Sequence, residues 1–244
     1  EETIQNFHTR LISSIQYLVN KGYSLVEDIQ VLIPMYRGSA GIDAVNKLIQ
    51  NEFNKNTEKA IVHGDREFRI GDKVIQLMNQ IEDKIMNGDQ GIVIGITPEE
   101  LLIVDFFGNE VAYKKGDLIN LKHAYAMSIH KSQGSEYKVV IMPIFRSYSI
   151  MLKRKLIYTG VSRAEEKLIL MGDLKALKYG VEKLEEPRQS VLKDRISDSI
   201  LKTETVVETD IKTTGVIYLE VKGIAFDTLG ENLPTGSKNP YDFM

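Results

Sequence analysis

Nine consecutive residues, Ser128-Ile129-His130-Lys131-Ser132-Gln133-Gly134-Ser135-Glu136, gather three hydroxyls, an imidazole, an ammonium, a carboxamide and a carboxylate. They follow a short apolar segment, Ala124 to Met127, that reads as a strand, and strand ends are where open α/β sheets bind ligands. Ser128, His130 and Lys131 suit the phosphate oxygens of a nucleic acid, whereas Gln133 and Glu136 offer hydrogen-bonding groups to a ribose or a nucleotide cleft. A polar surface turn with no ligand has the same composition. Further on, Leu156 to Ala164 reads Leu-Ile-Tyr-Thr-Gly-Val-Ser-Arg-Ala and sets Arg163 at the end of a predicted helix. Its guanidinium cannot lose its charge and its planar fork meets two phosphate oxygens at once, which suits a group that reaches across to a bound nucleotide. Taken alone, it equally suits a cap on the helix C-terminus.

The elements that must hold these groups are legible on either side. Lys138 to Pro143 is a continuous apolar run of the kind buried on both faces of a parallel sheet, and Lys167 to Met171 is the next such strand. Helical spacing marks residues 3–20 (Ile4, Phe7, Leu11, Ile15, Leu18), 152–163 and 174–184. Ile29 to Ile33 is an apolar strand closed by Pro34. The small-residue turn Tyr36 to Gly41 then leads into a helix carrying Ile42, Val45, Leu48, Ile49 and Phe53 on one side. Free N–H groups at that helix start, with Arg37, form a candidate phosphate cradle; a plain connecting loop is the alternative. Four strands and four helices predict a doubly wound half.

Between His63 and Lys122 the pattern changes. Lys73 to Met78, Gly91 to Thr97, Leu101 to Phe107 and Glu110 to Lys114 alternate in hydrophobicity and are separated by Gly71-Asp72, Asn87-Gly88-Asp89, Pro98 and the hairpin signal Gly108-Asn109. Such spacing predicts a small antiparallel barrel over residues 64–121, inserted into an α/β domain made of residues 1–63 and 122–187. Residues 188–244 form a polar tail, expected to be partly ordered, with one strand at Gly215 to Val221.

Composition bounds the chemistry. The 244 residues are 43% hydrophobic, enough to bury a core, and contain no cysteine, so disulfides and thiolate metal sites are excluded. No run approaches the length of a membrane span, and the first residues have no signal-peptide layout, so a cytoplasmic protein is expected. The chain starts without Met and already in helical pattern, which predicts a C-terminal piece of a longer polypeptide. Residues 122–178 carry 11 Lys and Arg against 4 Asp and Glu, an excess of +7 in a chain of net charge −3, and this excess calls for an anionic partner. Lys153-Arg154-Lys155 is either a phosphate patch or a solvated helix face. No G-x-x-x-x-G-K-[ST] loop and no Asp-Glu pair after an apolar strand is present, so the chain is not a complete nucleotide hydrolase.

At these residues the sequence resembles a known family. Ala124 to Glu136 is similar to motif V of superfamily 1 DNA helicases, and Leu156 to Ala164 to their motif VI. Asp28 to Gly41 resembles the motif IV region of the RecD-like branch. Gly71 to Asn79, followed by Asp83 to Gly91, resembles that branch's inserted barrel, and the ending Asn-Pro-Tyr-Asp-Phe-Met is similar to that of stand-alone bacterial RecD-like helicases. The resemblance implies a second RecA-like motor domain with an inserted SH3-like barrel, from a monomeric 5′ to 3′ helicase that uses ATP and Mg²⁺ and works on single-stranded DNA and duplex junctions, with DNA repair as its setting. The first motor domain of the same polypeptide would bind most of the nucleotide and the metal.

By the same resemblance, Arg163 would be the arginine finger. Gln133, Gly134, Glu136 and Arg37 would be nucleotide-side residues, although Arg37 faces phosphate of either ATP or DNA. Ser128, His130, Lys131 and Ser132 would face DNA; no metal ligand is expected here. The rivals are a non-catalytic DNA-binding or protein-docking module and an RNA-directed motor, since phosphate contacts carry no sugar information. The isolated chain is expected to fold and to hydrolyse no ATP. DNA-stimulated turnover by the purified 244 residues above a buffer blank would contradict this.

Overall fold

The computed structural model describes residues 4–57 and 59–183; the tail and its expected strand at Gly215 to Val221 lie outside the described residues. Helix α1 (Ile4–Asn20) buries Phe7, Leu11, Ile15 and Leu18, the face marked by their spacing. Strand β1 (Ile29–Ile33) is buried along its whole length, and α2 (Ile42–Phe53) follows. Strands β2 (Ala60–His63), β3 (Arg66–Arg69), β4 (Lys73–Gln76), β5 (Gln90–Ile96), β6 (Leu102–Phe106), β7 (Asn109–Tyr113) and β8 (Leu121–His123) come next. The chain then runs through β9 (Ala126–Ser128), β10 (Tyr137–Ile144), α3 (Arg154–Val161), β11 (Ala164–Gly172) and α4 (Leu174–Glu182).

Two sheets carry the fold. The first is parallel throughout, in the order β11-β10-β1-β9. Its strands and the apolar faces of the four helices make one core, as the continuous apolar runs require. Strand β9 is too short to need a further strand beside it, because Asn46 of α2 takes its free edge. The Asn46 amide donates to Ala126 O and accepts from Ala126 N, both at 2.8 Å. The second sheet is antiparallel, ordered β7-β6-β5-β4-β8, and surrounds a separate cluster that includes Val74, Val93, Val104 and Tyr113.

Three expectations need correction. The boundary placed at residues 63 and 64 falls inside a hairpin: β2 pairs with β3, and Ile61 and Phe68 enter the second cluster, so the antiparallel part starts at Ala60. Its other boundary falls inside β8, which pairs with β4 up to His123. The β6–β7 turn is Phe107-Gly108 rather than Gly108-Asn109; both take positive φ (54° and 91°), and Asp105 Oδ1 accepts the Gly108 N–H. That side-chain bond holds a left-handed phenylalanine in place of the usual Asn or Gly.

Two adjacent charged residues, Asp72 and Lys73, tie the sheets together from inside. Lys73 Nζ is buried and donates to Gln30 Oε1 (2.9 Å) and Ile29 O (3.3 Å) of β1. Burial pulls its pKa down to about 7, against the weaker opposing pull of Asp28. Because the folded value is depressed, the unfolded chain holds a proton that the folded chain has released, so Lys73 makes stability rise as pH climbs from about 7 towards the ordinary lysine value of about 10.4. Denaturant midpoints for the wild-type chain are therefore expected to increase between pH 7 and pH 9, and Lys73→Met to flatten most of that rise; an equal slope in both proteins would refute the assignment.

Candidate functional site

The polar turn after β9 is built from two buried anchors. Ile129 is fully enclosed, and Ser132, also fully enclosed, donates its hydroxyl to Ile129 O at 2.8 Å. Backbone bonds from Lys131 N to Ser128 O and from Ser135 N to Ser132 O wind the segment into successive turns, with Gly134 at φ +88°. His130, Gln133, Gly134 and Glu136 are left facing solvent and Lys131 half-buried. Burial, followed by the nearby charge of Lys122, pulls the Lys131 pKa down. Ser132 thus departs from its expected place among DNA-facing groups: its side chain is spent on shaping the turn. Ser128 is also buried, and its Oγ accepts weakly from Lys131 N at 3.4 Å.

Arg163 lies two residues past the end of α3, not on the helix, and β11 begins immediately after it. Its guanidinium joins the two sequence motifs. Nε donates to Thr159 O of the last helical turn (3.2 Å), Nη2 to Ser162 Oγ (3.2 Å) and Nη1 to Ser135 O of the polar turn (3.0 Å). Its own carbonyl accepts from Tyr137 N at 2.9 Å. A guanidinium has five N–H groups, so among the described residues three bonds leave two N–H directions on the half-exposed side chain. Helix capping and phosphate recognition are compatible in one residue.

The motif IV turn differs from the open cradle expected of it. Gly41 N donates to Gly38 O, Ile42 N to Met35 O and Asp43 N to Tyr36 O, so the first amides of α2 are already taken. Arg37 is exposed on this loop. Beside it sits a pair that sequence reading missed: Lys122 Nζ lies 5.5 Å from the ring centroid of half-exposed Tyr36 and 4.0 Å from Asp43 Oδ1. Tyr36, Lys122 and Lys131 make a cationic, aromatic face of the kind on which nucleic-acid bases and phosphates rest. An aromatic within a turn, distant in sequence from the lysines, gave no periodic signal.

The basic excess is partly spent within the fold. Lys138 pairs with Asp28 at 2.8 Å, Arg154 Nε donates to Val181 O at the end of α4, and Lys167 lies against Tyr23 and Glu166. Arg154 thus ties α3 to α4 through Nε while its side chain stays exposed. Among the described residues, no group of three or more His, Cys, Asp or Glu could hold a metal ion, and no helix is long and apolar enough to cross a membrane.

A parallel sheet flanked by helices, with a polar turn and an arginine meeting at one end, is the architecture of a RecA-like helicase domain. Residues 123–171 match the UvrD-like helicase C-terminal domain. More narrowly, residues 45–106 match the SH3 domain of ATP-dependent RecD-like DNA helicases, so the chain pairs a segment similar to a UvrD-like helicase C-terminal domain with one similar to a RecD-like SH3 domain. Curated relatives agree. The ATP-dependent RecD2 DNA helicase of Deinococcus radiodurans is 34% identical over 168 residues, 69% of this chain and 23% of that protein. The RecBCD enzyme subunit RecD of Mycolicibacterium smegmatis is 28% identical over 158 residues, 65% of this chain and 27% of that protein. The chain spans about a quarter of the length of these relatives. Among solved structures, Bacteroides Pif1 bound to ssDNA is similar at 16% identity and a TM-score of 0.44, over 71% of this chain and 46% of that one, a likeness too loose to bear on function.

The loop that presents Tyr36 and Arg37 depends on Gly41, where an added Cβ would lie 2.4 Å from Tyr36 O and 2.5 Å from Arg37 O. Backbone atoms cannot yield as a side-chain tip can, so Gly41→Ala is expected to cost about 1–3 kcal/mol in denaturant unfolding. An unchanged midpoint would mean that the loop is free to move.

Proposed function

We propose that this chain is the second motor domain, with its SH3 module, of an ATP-dependent DNA helicase that moves 5′ to 3′ along single-stranded DNA and opens duplex junctions. The observation that carries this reading is the ordered pairing of a RecD-like SH3 module with a UvrD-like C-terminal domain in one chain. In this reading a first motor domain of the same polypeptide supplies the phosphate loop and the carboxylates for Mg²⁺, for which the described residues offer no ligand cluster. DNA repair in the cytoplasm and action as a monomer belong to the same proposal.

The division of labour follows from exposure and charge. Arg163, held by Thr159 O and Ser135 O, keeps two N–H directions for the γ-phosphate of ATP in the opposite domain. Gln133, Gly134 and Glu136, exposed on the turn that Arg163 grips, lie on the nucleotide side. His130 and Lys131 face the DNA strand, joined by Tyr36, Arg37 and Lys122, while Ser128, buried at the end of β9, contributes through the turn it starts. Ser132 acts indirectly, by fixing the turn. Charge accumulates on the γ-phosphoryl oxygens as the bond to the leaving group breaks, so a guanidinium aimed there stabilises the transition state more than the ground state.

Arginine fingers are worth on the order of a thousandfold or more in rate. In the full-length protein, Arg163→Ala and Arg163→Lys are both expected to nearly abolish ATP turnover and unwinding, with strand affinity in the absence of nucleotide little changed. Lysine keeps the charge but not the planar fork. The lost internal bonds add a stability loss of about 1–3 kcal/mol for alanine, so turnover is to be expressed per folded molecule. Near-normal turnover by folded Arg163→Ala would leave the arginine a helix cap and favour a non-catalytic DNA-binding or docking module; equal unwinding of matched RNA and DNA duplexes would favour an RNA-directed motor.

A further inference from the structure

Tyr137 opens β10 and is buried, yet both of its ends are engaged by the antiparallel module. Its hydroxyl accepts from Gln90 Nε2 of β5 at 2.7 Å, and Lys73 Nζ of β4 lies 5.5 Å from its ring centroid. On the other side, its backbone N–H donates to Arg163 O at 2.9 Å, and two residues earlier Ser135 O accepts from Arg163 Nη1 at 3.0 Å. Burial pushes the Tyr137 hydroxyl pKa up, while Gln90, Ser135 and the charge of Arg163 act against it, which sets that hydroxyl within the field of the guanidinium. Among the described residues, Tyr137 therefore touches both the SH3 module and the arginine.

Resting on the reading of Arg163 as the finger, we propose that Tyr137 is a positioning residue through which the SH3 module sets the aim of Arg163. The module holds the ring and hydroxyl, and the ring fixes the first residue of β10. That residue and Ser135 hold the arginine by its carbonyl and by Nη1. A shift of the module along β4 or β5 moves Tyr137 as a unit, because a buried ring cannot slide independently of the strand that bears it. The module thus gains a route to the rate of ATP turnover without touching nucleotide.

The test uses the full-length protein with Tyr137→Phe, Gln90→Leu and their combination, each compared with Arg163→Ala. Gln90→Leu removes the bond to the Tyr137 hydroxyl, Tyr137→Phe removes that bond together with the longer one the hydroxyl donates to Met127 Sδ (3.8 Å), and both keep side-chain bulk. Reacting groups displaced by about 1 Å lose on the order of a hundredfold in rate, and a loosened aim is expected to lower DNA-stimulated kcat by about tenfold. KM for ATP and affinity for a single strand are expected to stay within about twofold, with kcat expressed per folded molecule. The double variant is expected to be no slower than Tyr137→Phe, since Gln90→Leu cuts a bond that Tyr137→Phe already removes. Wild-type kcat in both single variants, alongside an inactive Arg163→Ala, would overturn this inference and leave the finger standing. Near-normal turnover by Arg163→Ala would overturn the finger and this inference together. A fall in kcat wholly accounted for by lost folded protein, or additive losses in the double variant, would reduce Tyr137 to a packing residue.

Discussion

The Asp72 carboxylate is the point on which the two sheets turn. It is wholly buried at the head of β4 and accepts from Gln50 Nε2 (2.6 Å) of α2, Asn54 Nδ2 (2.8 Å) at the C-terminal end of that helix, Arg69 N (2.7 Å) of the β2–β3 hairpin and Tyr125 OH (2.9 Å), with His123 Nε2 at 3.2 Å. Those donors come from a helix of the parallel part, a hairpin of the antiparallel part and the short link between β8 and β9. Burial alone would push its pKa up; the hydrogen bond and charge of His123, with the bonds from Arg69 N and Asn54, outweigh it and hold the pKa below the usual carboxylate value. A buried carboxylate is tolerable only with such complete satisfaction. The aromatic stack of Phe68, His123 and Tyr125 keeps the imidazole in place beside it.

Lys73 solves the same problem the opposite way. Successive residues at a strand start point to opposite faces, so Asp72 faces α2 while Lys73 faces β1 and Tyr137. With Gln30 Oε1 and Ile29 O as its nearest acceptors, the ammonium is poorly compensated and gives up its proton readily. Gln30 in turn spends its amide on Ala124 O and Tyr125 O at the entry to β9. The pair of adjacent charges thus grips both ends of the crossing between the sheets, and an antiparallel module inserted by way of short links is held more firmly than its covalent ends alone would allow.

What the sequence revealed follows from which forces are periodic. Phe7, Leu11, Ile15 and Leu18 repeat at helical spacing, and the apolar run at Lys138 to Pro143 has no competing pattern, so helix and strand emerge close to where they lie. The order of motifs singled out Arg163 and the polar turn, and the two meet where Arg163 Nη1 donates to Ser135 O. Satisfaction of buried polar groups has no period. Nothing in the spacing of Gln50, Asn54, Asp72, His123 and Tyr125 announces that they converge, and nothing in Ser132 distinguishes a buried turn former from an exposed phosphate ligand. The hairpin β2–β3 escaped for a related reason: Val62 and Arg66 are not buried, and Ile61 and Phe68 are too few to show alternation.

Arg163 shows why a residue can serve structure and chemistry without conflict. Its anchors are a helix-end carbonyl, a hydroxyl and a turn carbonyl, all neutral acceptors. Neutral acceptors hold a guanidinium less firmly than a carboxylate would, since bonds in which both partners are charged are the stronger class. A paired Asp or Glu would have neutralised the charge and made transfer towards a phosphate costly; among the described residues, the guanidinium bonds go to neutral oxygens only. The side chain is oriented by its own chain yet keeps its full positive charge, and the same Ser135 carbonyl that orients it belongs to the turn bearing Gln133 and Glu136. Geometry and charge are therefore supplied by different partners, so the aim of the arginine can be adjusted through the strand beneath it without altering what it offers to an anion.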